Sequence, residues 1–238
     1  MSVNMKELMF RLYNKYDIDN LYPLLYSHIQ ILYDSAQSSD GNWGHSTNTH
    51  THIINMFSKY IENILIDNYV DFGCGDGQFA NTMIQTYNIS NHLLIDIVDT
   101  RIDKHLHFGT SLDKVSSKSV NLITAMMSLH HVTNLSKVLQ EFDRILKDNG
   151  IVVIREHDSE NQTDEFNIEV YHHAFDIKKT KNSKFDVVWK NSSTKNWMHL
   201  RSKQEWIKLF SRYNQLYISS TTKNFKKSFI GVFKKNII

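Results

Sequence analysis

One cysteine, one proline and eight glycines among 238 residues leave this chain few means of stapling, kinking or loosening its fold. A lone thiol, Cys74, excludes an internal disulfide. The N-terminus also lacks the uninterrupted apolar stretch of a secretion signal, so a reducing compartment, the cytoplasm, is expected. No long hydrophobic run is present either. The longest apolar region, residues 21–33, is broken by Ser27, His28 and Gln30 and falls short of the roughly 20 residues that span a bilayer, so no membrane partner is expected. Charge of one sign is missing as well: 27 basic residues against 25 acidic ones give +2, too little to argue for nucleic acid or membrane. The thirteen histidines come without companion cysteines. His50-Thr51-His52 and the two His-His pairs show no convincing carboxylate pattern, so no metal site is expected.

What is present is a core. A hydrophobic content of 41% over this length supports one sizeable α/β domain, with or without a small appendage. The Ser-, Asp- and Gly-rich stretch 34–44 breaks the pattern and sets off residues 1–45. There, Leu8, Leu12 and Tyr13, then Leu21, Leu25 and Ile29, recur at helical spacing and predict an N-terminal helical cap. Residues 46–238 form the main domain. Ile53, Phe57, Tyr60, Ile61 and Ile64 mark an amphipathic helix. Strands then alternate with helices: strand 69–72, helix from Gln78, strands 93–97 and 120–125, helix 135–146, strand 151–156. Such alternation predicts a mostly parallel sheet with helices on both faces. An insertion at 159–197, with a helical stretch 165–175 and the lysines Lys178, Lys179, Lys181 and Lys184, reads as a substrate cover. After a helix at 204–210, the β-rich runs 215–222 and 227–233 predict a closing antiparallel hairpin.

The chemistry concentrates at Asp71-Phe72-Gly73-Cys74-Gly75-Asp76-Gly77-Gln78, where a strand ends and a helix begins. Glycines there let the backbone turn sharply and approach a ligand with no Cβ in the way. The nicotinamide fingerprint wants its third glycine where Gln78 stands, which argues against a dehydrogenase. Downstream, Leu93-Leu94-Ile95-Asp96-Ile97 puts a carboxylate at a strand end, at the distance where a cofactor ribose takes an acidic contact. Asp96 is the candidate and Asp99 its rival.

With Asp-x-Gly-x-Gly-x-Gly complete at these positions, the chain resembles the class I S-adenosylmethionine-dependent methyltransferase superfamily, type 11-like, over about residues 68–156. The resemblance continues through the fourth strand into Ser128-Leu129-His130-His131 and through the helix that ends before Asp148-Asn149-Gly150. It implies a three-layer Rossmann-like fold with a mostly parallel seven-stranded sheet. It also implies S-adenosylmethionine as cofactor: Gly73, Cys74, Gly75, Gly77 and Gln78 around the methionine part, Asp71 near its amino group, Asp96 on the ribose, and Ile97 and Met126 beside the ligand. Relatives carry an adenine-binding aspartate where Thr110, Ser111 and Leu112 stand; hydroxyls replace it here.

For the methyl acceptor, the candidates are His130 after the fourth strand and Glu156, His157 and Asp158, where the strand 151–154 switches abruptly to charge. Methyl transfer is an in-line displacement that needs alignment and at most proton removal. Trp206 is expected in the core. The acceptor is expected to be an O or N atom of RNA or of a small molecule. The competing reading is a catalytically inactive subunit of the same fold that serves as a protein partner or activator.

Overall fold

Alternating apolar residues along each central strand send one set of side chains to either face of a sheet, so helices must cover both faces. The structure, a computed structural model, describes residues 47–179, 198–223 and 226–237. The predicted N-terminal cap and most of the lysine-rich part of the insertion lie outside the described residues. Among these, two compact units are distinguished: a larger one of residues 47–158, 198–221 and 228–237, and a smaller one of residues 159–179 with the hairpin tip 222–223 and 226–227.

The larger unit opens with helix α1 (Thr47–Phe57) and proceeds through β1 (Asn68–Phe72), α2 (Gln78–Tyr87), β2 (Asn91–Ile95), β3 (Phe108–Gly109), β4 (Val120–Met126), α3 (Leu135–Ile145) and β5 (Leu146–His157). After α4 (Gln162–Lys179), which belongs to the smaller unit, come α5 (Lys203–Leu209), β6 (Tyr213–Lys223) and β7 (Lys226–Lys235). The seven strands run in the order β3-β2-β1-β4-β5-β7-β6. Pairings from β3 to β5 are parallel, and β7 runs antiparallel to β5 with Ile154 opposite Gly231. The predicted α/β class, parallel core and closing antiparallel hairpin are therefore observed.

Two cores result. Tyr69, Leu122, Ile151, Val153 and Val232 join Ile54 and Phe57 of α1 and Met83 of α2 on one face. Val70, Ile123, Val152, Ile154 and Phe233 join Phe142 of α3 and Trp206 of α5 on the other. Trp206 is fully buried, as expected of a core residue. Its helix starts on a reciprocal cap, in which Ser202 Oγ accepts from Glu205 N and the Glu205 carboxylate accepts from Ser202 N.

Several elements differ from the sequence expectation: β2 covers Asn91–Ile95 rather than 93–97, so Asp96 lies just past the strand, and the first helix ends at Phe57 rather than reaching Ile64. Strand β3 has only two residues, too few for any periodicity to announce. Strand β5 begins at Leu146 rather than at 151, because Leu146 already pairs with Val120 before a register shift. Asn149 takes the left-handed φ of 63° in that irregular stretch. Within the smaller unit, Lys227 Nζ lies 3.0 Å from both Glu160 and Asp164, which pulls the hairpin tip onto the start of α4. No helix among the described residues is long and apolar enough to cross a membrane.

Candidate functional site

Strand β1 has β2 on one side and β4 on the other, so the order of connections reverses beside it. Open α/β sheets bind ligands at the carboxyl ends of strands at such a reversal. The glycine loop leaves β1 there. Gly73, Gly75 and Gly77 all have positive φ, 73°, 53° and 78°, which only glycine adopts freely. They differ in what surrounds them. A Cβ on Gly73 would meet Ser128 Cβ at 2.2 Å, and one on Gly77 would meet Leu94 Cδ2 at 3.2 Å, whereas one on Gly75 would meet nothing within 4 Å. Gly73 and Gly77 are thus small for packing; Gly75 is small beside open space, as a loop that cradles a ligand requires.

Asp96 closes the loop from the end of β2. Its Oδ2 accepts from Gly75 N at 2.8 Å and its Oδ1 from Ile97 N at 2.7 Å. Its rival Asp99 is held by Arg101 Nε and Nη2 at 2.8 Å each and by Lys104 Nζ at 3.0 Å, contacts that keep its carboxyl well below the usual range. Asp99 is committed to that ion-pair cluster, and Asp96 is the carboxylate beside the loop. Thr100 adds a brace, its hydroxyl donating to Gly75 O at 2.9 Å. Asp76 caps the start of α2 through Gln78 N at 3.1 Å and holds the Gln78 amide at 2.9 Å. Ile97 is 75% exposed, an uncovered apolar surface next to Asp96. Thr110 and Ser111 are exposed, while the Leu112 side chain packs in the core and Met126 is half-buried at the end of β4.

Asp71 sits one layer deeper. Its carboxyl is buried, Thr124 Oγ1 donates to its Oδ1 at 2.6 Å, and Tyr69 Oη lies 2.7 Å from Thr124 Oγ1. Burial pushes the Asp71 carboxyl up to about 7; Asp96 and Asp76 push the same way, while Thr124 and Tyr69 pull down. Burial first, then Asp71 and Asp96, also drive the Cys74 thiol far upward, so Cys74 is a small neutral residue packed in the loop.

The second half of the site lies across β4 and β5. Met127 leaves β4 in the left-handed region, φ 58°, with its N–H on Arg155 O. That turn aims two further amides, Ser128 N and Leu129 N, at Glu156 Oε1, at 3.1 and 2.7 Å. Glu156 Oε2 takes His130 Nδ1 at 2.6 Å, with both side chains fully buried. His130 lies against exposed His131, its ring tilted by 46° at 4.0 Å, and meets His157 edge-on at 4.9 Å. Asp158 Oδ1 accepts from Lys203 N at 2.7 Å, so the start of α5 is tied to the end of β5. Glu156 and Asp158, the two charged candidates from the sequence, are thus both engaged by backbone amides.

Several residues shape the site without any signal in the motif. Tyr69 and Thr124 hold Asp71, Ser128 fills the space under Gly73 and donates to Phe72 O at 2.8 Å, and Lys203 meets Asp158. Only Tyr69 carried a hint, as a phenol beside Val70 in the strand that runs into the motif.

Comparison with known proteins agrees with this geometry. A family model described as "Methyltransferase domain" matches residues 50–214. No curated protein sequence matches the chain. Among solved structures, the YcgJ protein of Bacillus subtilis superposes with a TM-score of 0.55 at 14% identity, over 79% of this chain and 100% of that one. A SAM-dependent methyltransferase of Archaeoglobus fulgidus gives 0.56 at 11% identity, over 78% and 94%. Geranyl diphosphate methyltransferase in complex with GPP and sinefungin gives 0.57 at 12% identity, over 78% and 77%. At these identities the likeness is one of fold.

Proposed function

Because the chain belongs to the methyltransferase domain family, with S-adenosylmethionine as its cofactor, we propose that it methylates an oxygen or nitrogen atom of RNA or of a small molecule. The observation that carries the reading is Gly75, whose left-handed backbone faces open space while Asp96 holds its amide at 2.8 Å. When bound, the cofactor supplies a methyl group already activated on a sulfonium. Asp71 would hold its amine and Asp96 its ribose hydroxyls. Gly73, Cys74, Gly75, Gly77 and Gln78 would line its methionine part, and Ile97, Met126, Thr110, Ser111 and Leu112 its adenosine side. His130 is the proton acceptor in this reading. Glu156 Oε2, 2.6 Å from Nδ1, fixes the orientation of the ring. Glu156 is a positioning residue, Asp158 anchors α5, and His157 packs against the His130 ring.

Calorimetry with S-adenosylmethionine tests the donor half: tight binding by the natural chain and loss in Gly75→Arg and Asp96→Ala are expected. Absence of binding in the natural chain overturns the reading. For the acceptor, methyl-labelled cofactor is incubated with separate RNA and small-metabolite fractions. An acceptor affinity that falls steeply with salt identifies nucleic acid.

A second reading, a cofactor-binding subunit without catalysis that acts through a protein partner, draws on the burial of His130, Glu156, His157 and Asp158, each under 5% exposed. Cofactor binding with no label transferred to either fraction favours it.

A further inference from the structure

Tyr69, Thr124 and Asp71 form a buried polar chain between neighbouring strands. Tyr69 and Asp71 lie two apart on β1 and so share a face, and the register sets Thr124 of β4 beside Asp71. All three are buried, at 1%, 0% and 2% exposure, and Tyr69 packs in the same core as Leu122 and Val153. The direction of the chain follows from its end: an ionised carboxylate only accepts, so Thr124 donates to Asp71, and Tyr69 then donates to Thr124. A complete buried network of this kind rigidifies what it holds.

We propose that Tyr69 and Thr124 are positioning residues for donor capture: they fix the Asp71 carboxyl and favour its ionised form, so that affinity for an amine-bearing adenosyl ligand rises with pH as Asp71 loses its proton. The inference rests on Asp71 meeting the cofactor amine, as proposed above. The titratable and hydrogen-bonding groups around Asp71 are Asp96 from the end of β2, Asp76 and the neutral Cys74 thiol from the loop, Tyr69 on its own strand and Thr124 on β4. Burial and the two aspartates oppose the charge, while the two hydroxyls favour it. The balance leaves the carboxyl at about 7, near neutrality, where loss of one hydroxyl changes the ionised fraction most.

The experiment measures the affinity of S-adenosylhomocysteine, the demethylated product, between about pH 6 and 8, with 5′-methylthioadenosine, which lacks the amine, as reference. In the natural chain the product should weaken roughly tenfold per pH unit below a midpoint set by Asp71, while the reference ligand stays level. Thr124→Val should raise the midpoint by about a unit, Tyr69→Phe by less, and Thr124→Ser should leave it in place. A midpoint unmoved in Thr124→Val, or both ligands weakened alike at every pH, overturns the proposal. If Thr124→Val fails to fold, Tyr69→Phe, which keeps the ring in the core, decides on the same readout. Asp71→Asn tests the underlying assignment separately. It should abolish the preference for the amine-bearing ligand at every pH; a preference that survives in Asp71→Asn refutes the role of Asp71 itself.

Discussion

The ends of β1 and β2 and the ends of β4 and β5 carry similar numbers of ionisable groups at the same edge of one sheet, yet they spend them differently. On the first side, backbone and glycine make the surface, Gly75 opens on empty space, and Asp71 and Asp96 stand behind it. On the second, the ionisable side chains hold the protein itself: Glu156 gathers Ser128 N, Leu129 N and His130, and Asp158 takes Lys203 N. In the reading proposed above, the first is the donor side, which meets its ligand through a loop, and the second is the acceptor side, a scaffold around the His130 imidazole.

The largest effect that would sharpen this contrast comes from Glu156→Ala. One buried amide, one half-buried amide and a histidine would lose their acceptor together, which should cost about 3–5 kcal/mol of stability in denaturant unfolding. A loss below about 1 kcal/mol would show that Glu156 is not the scaffold described. Asp71→Asn should act oppositely. The folded-state carboxyl is raised to about 7, against roughly 3.9 in the unfolded chain, so the folded state holds an extra proton between those values. Stability of the natural chain therefore falls as pH rises through that window, and above about pH 7 the buried charge costs on the order of 2–4 kcal/mol. Asn cannot ionise. Asp71→Asn should melt higher than the natural chain at pH near 8 and similarly at pH near 4, while losing cofactor affinity throughout. Equal melting temperatures at both ends would break the claim that the donor side sacrifices stability for a ligand.

How much of each side was legible in the sequence follows the same divide. The donor side is local. Asp71 to Gly77 is one continuous motif, Asp96 lies at the end of the next strand, and the alternation of Tyr69 and Val70 or Leu122 and Ile123 shows which face each residue serves. The acceptor side is not local. Charge at Glu156 and Asp158 reads as aimed at a substrate because exposed strand ends usually carry ligand-binding groups. What the sequence does not display is that Met127 turns left-handed and strands two amides that need a carboxylate 28 and 27 residues away. The relay beneath Asp71 is hidden for the same reason, its contacts joining residues 53 and 55 apart.

A smaller effect separates the glycines. Gly73→Ala places a Cβ 2.2 Å from Ser128 Cβ on a left-handed backbone, and should cost about 1–3 kcal/mol or more in unfolding. Gly75→Ala meets no neighbour and should cost only the backbone term, about 1 kcal/mol, while cofactor affinity drops. Adding Ser128→Gly to Gly73→Ala should recover part of the loss, and no recovery would break the packing account.

The smallest expected effect concerns the support of the acceptor side from α5. Ser202 caps that seven-residue helix by accepting from Glu205 N, while the neighbouring amide, Lys203 N, is taken by Asp158. A helix this short has little stability of its own and depends on its caps and on Trp206 in the core. Ser202→Ala should therefore cost about 1 kcal/mol in unfolding. Asp158→Ala removes a different acceptor of the same turn. Because both caps hold one short helix, their losses should not simply add, and the double variant should deviate from the sum by about 0.5 kcal/mol or more. Strict additivity would mean that Asp158 supports something other than α5, and would return it to the candidates for touching the acceptor.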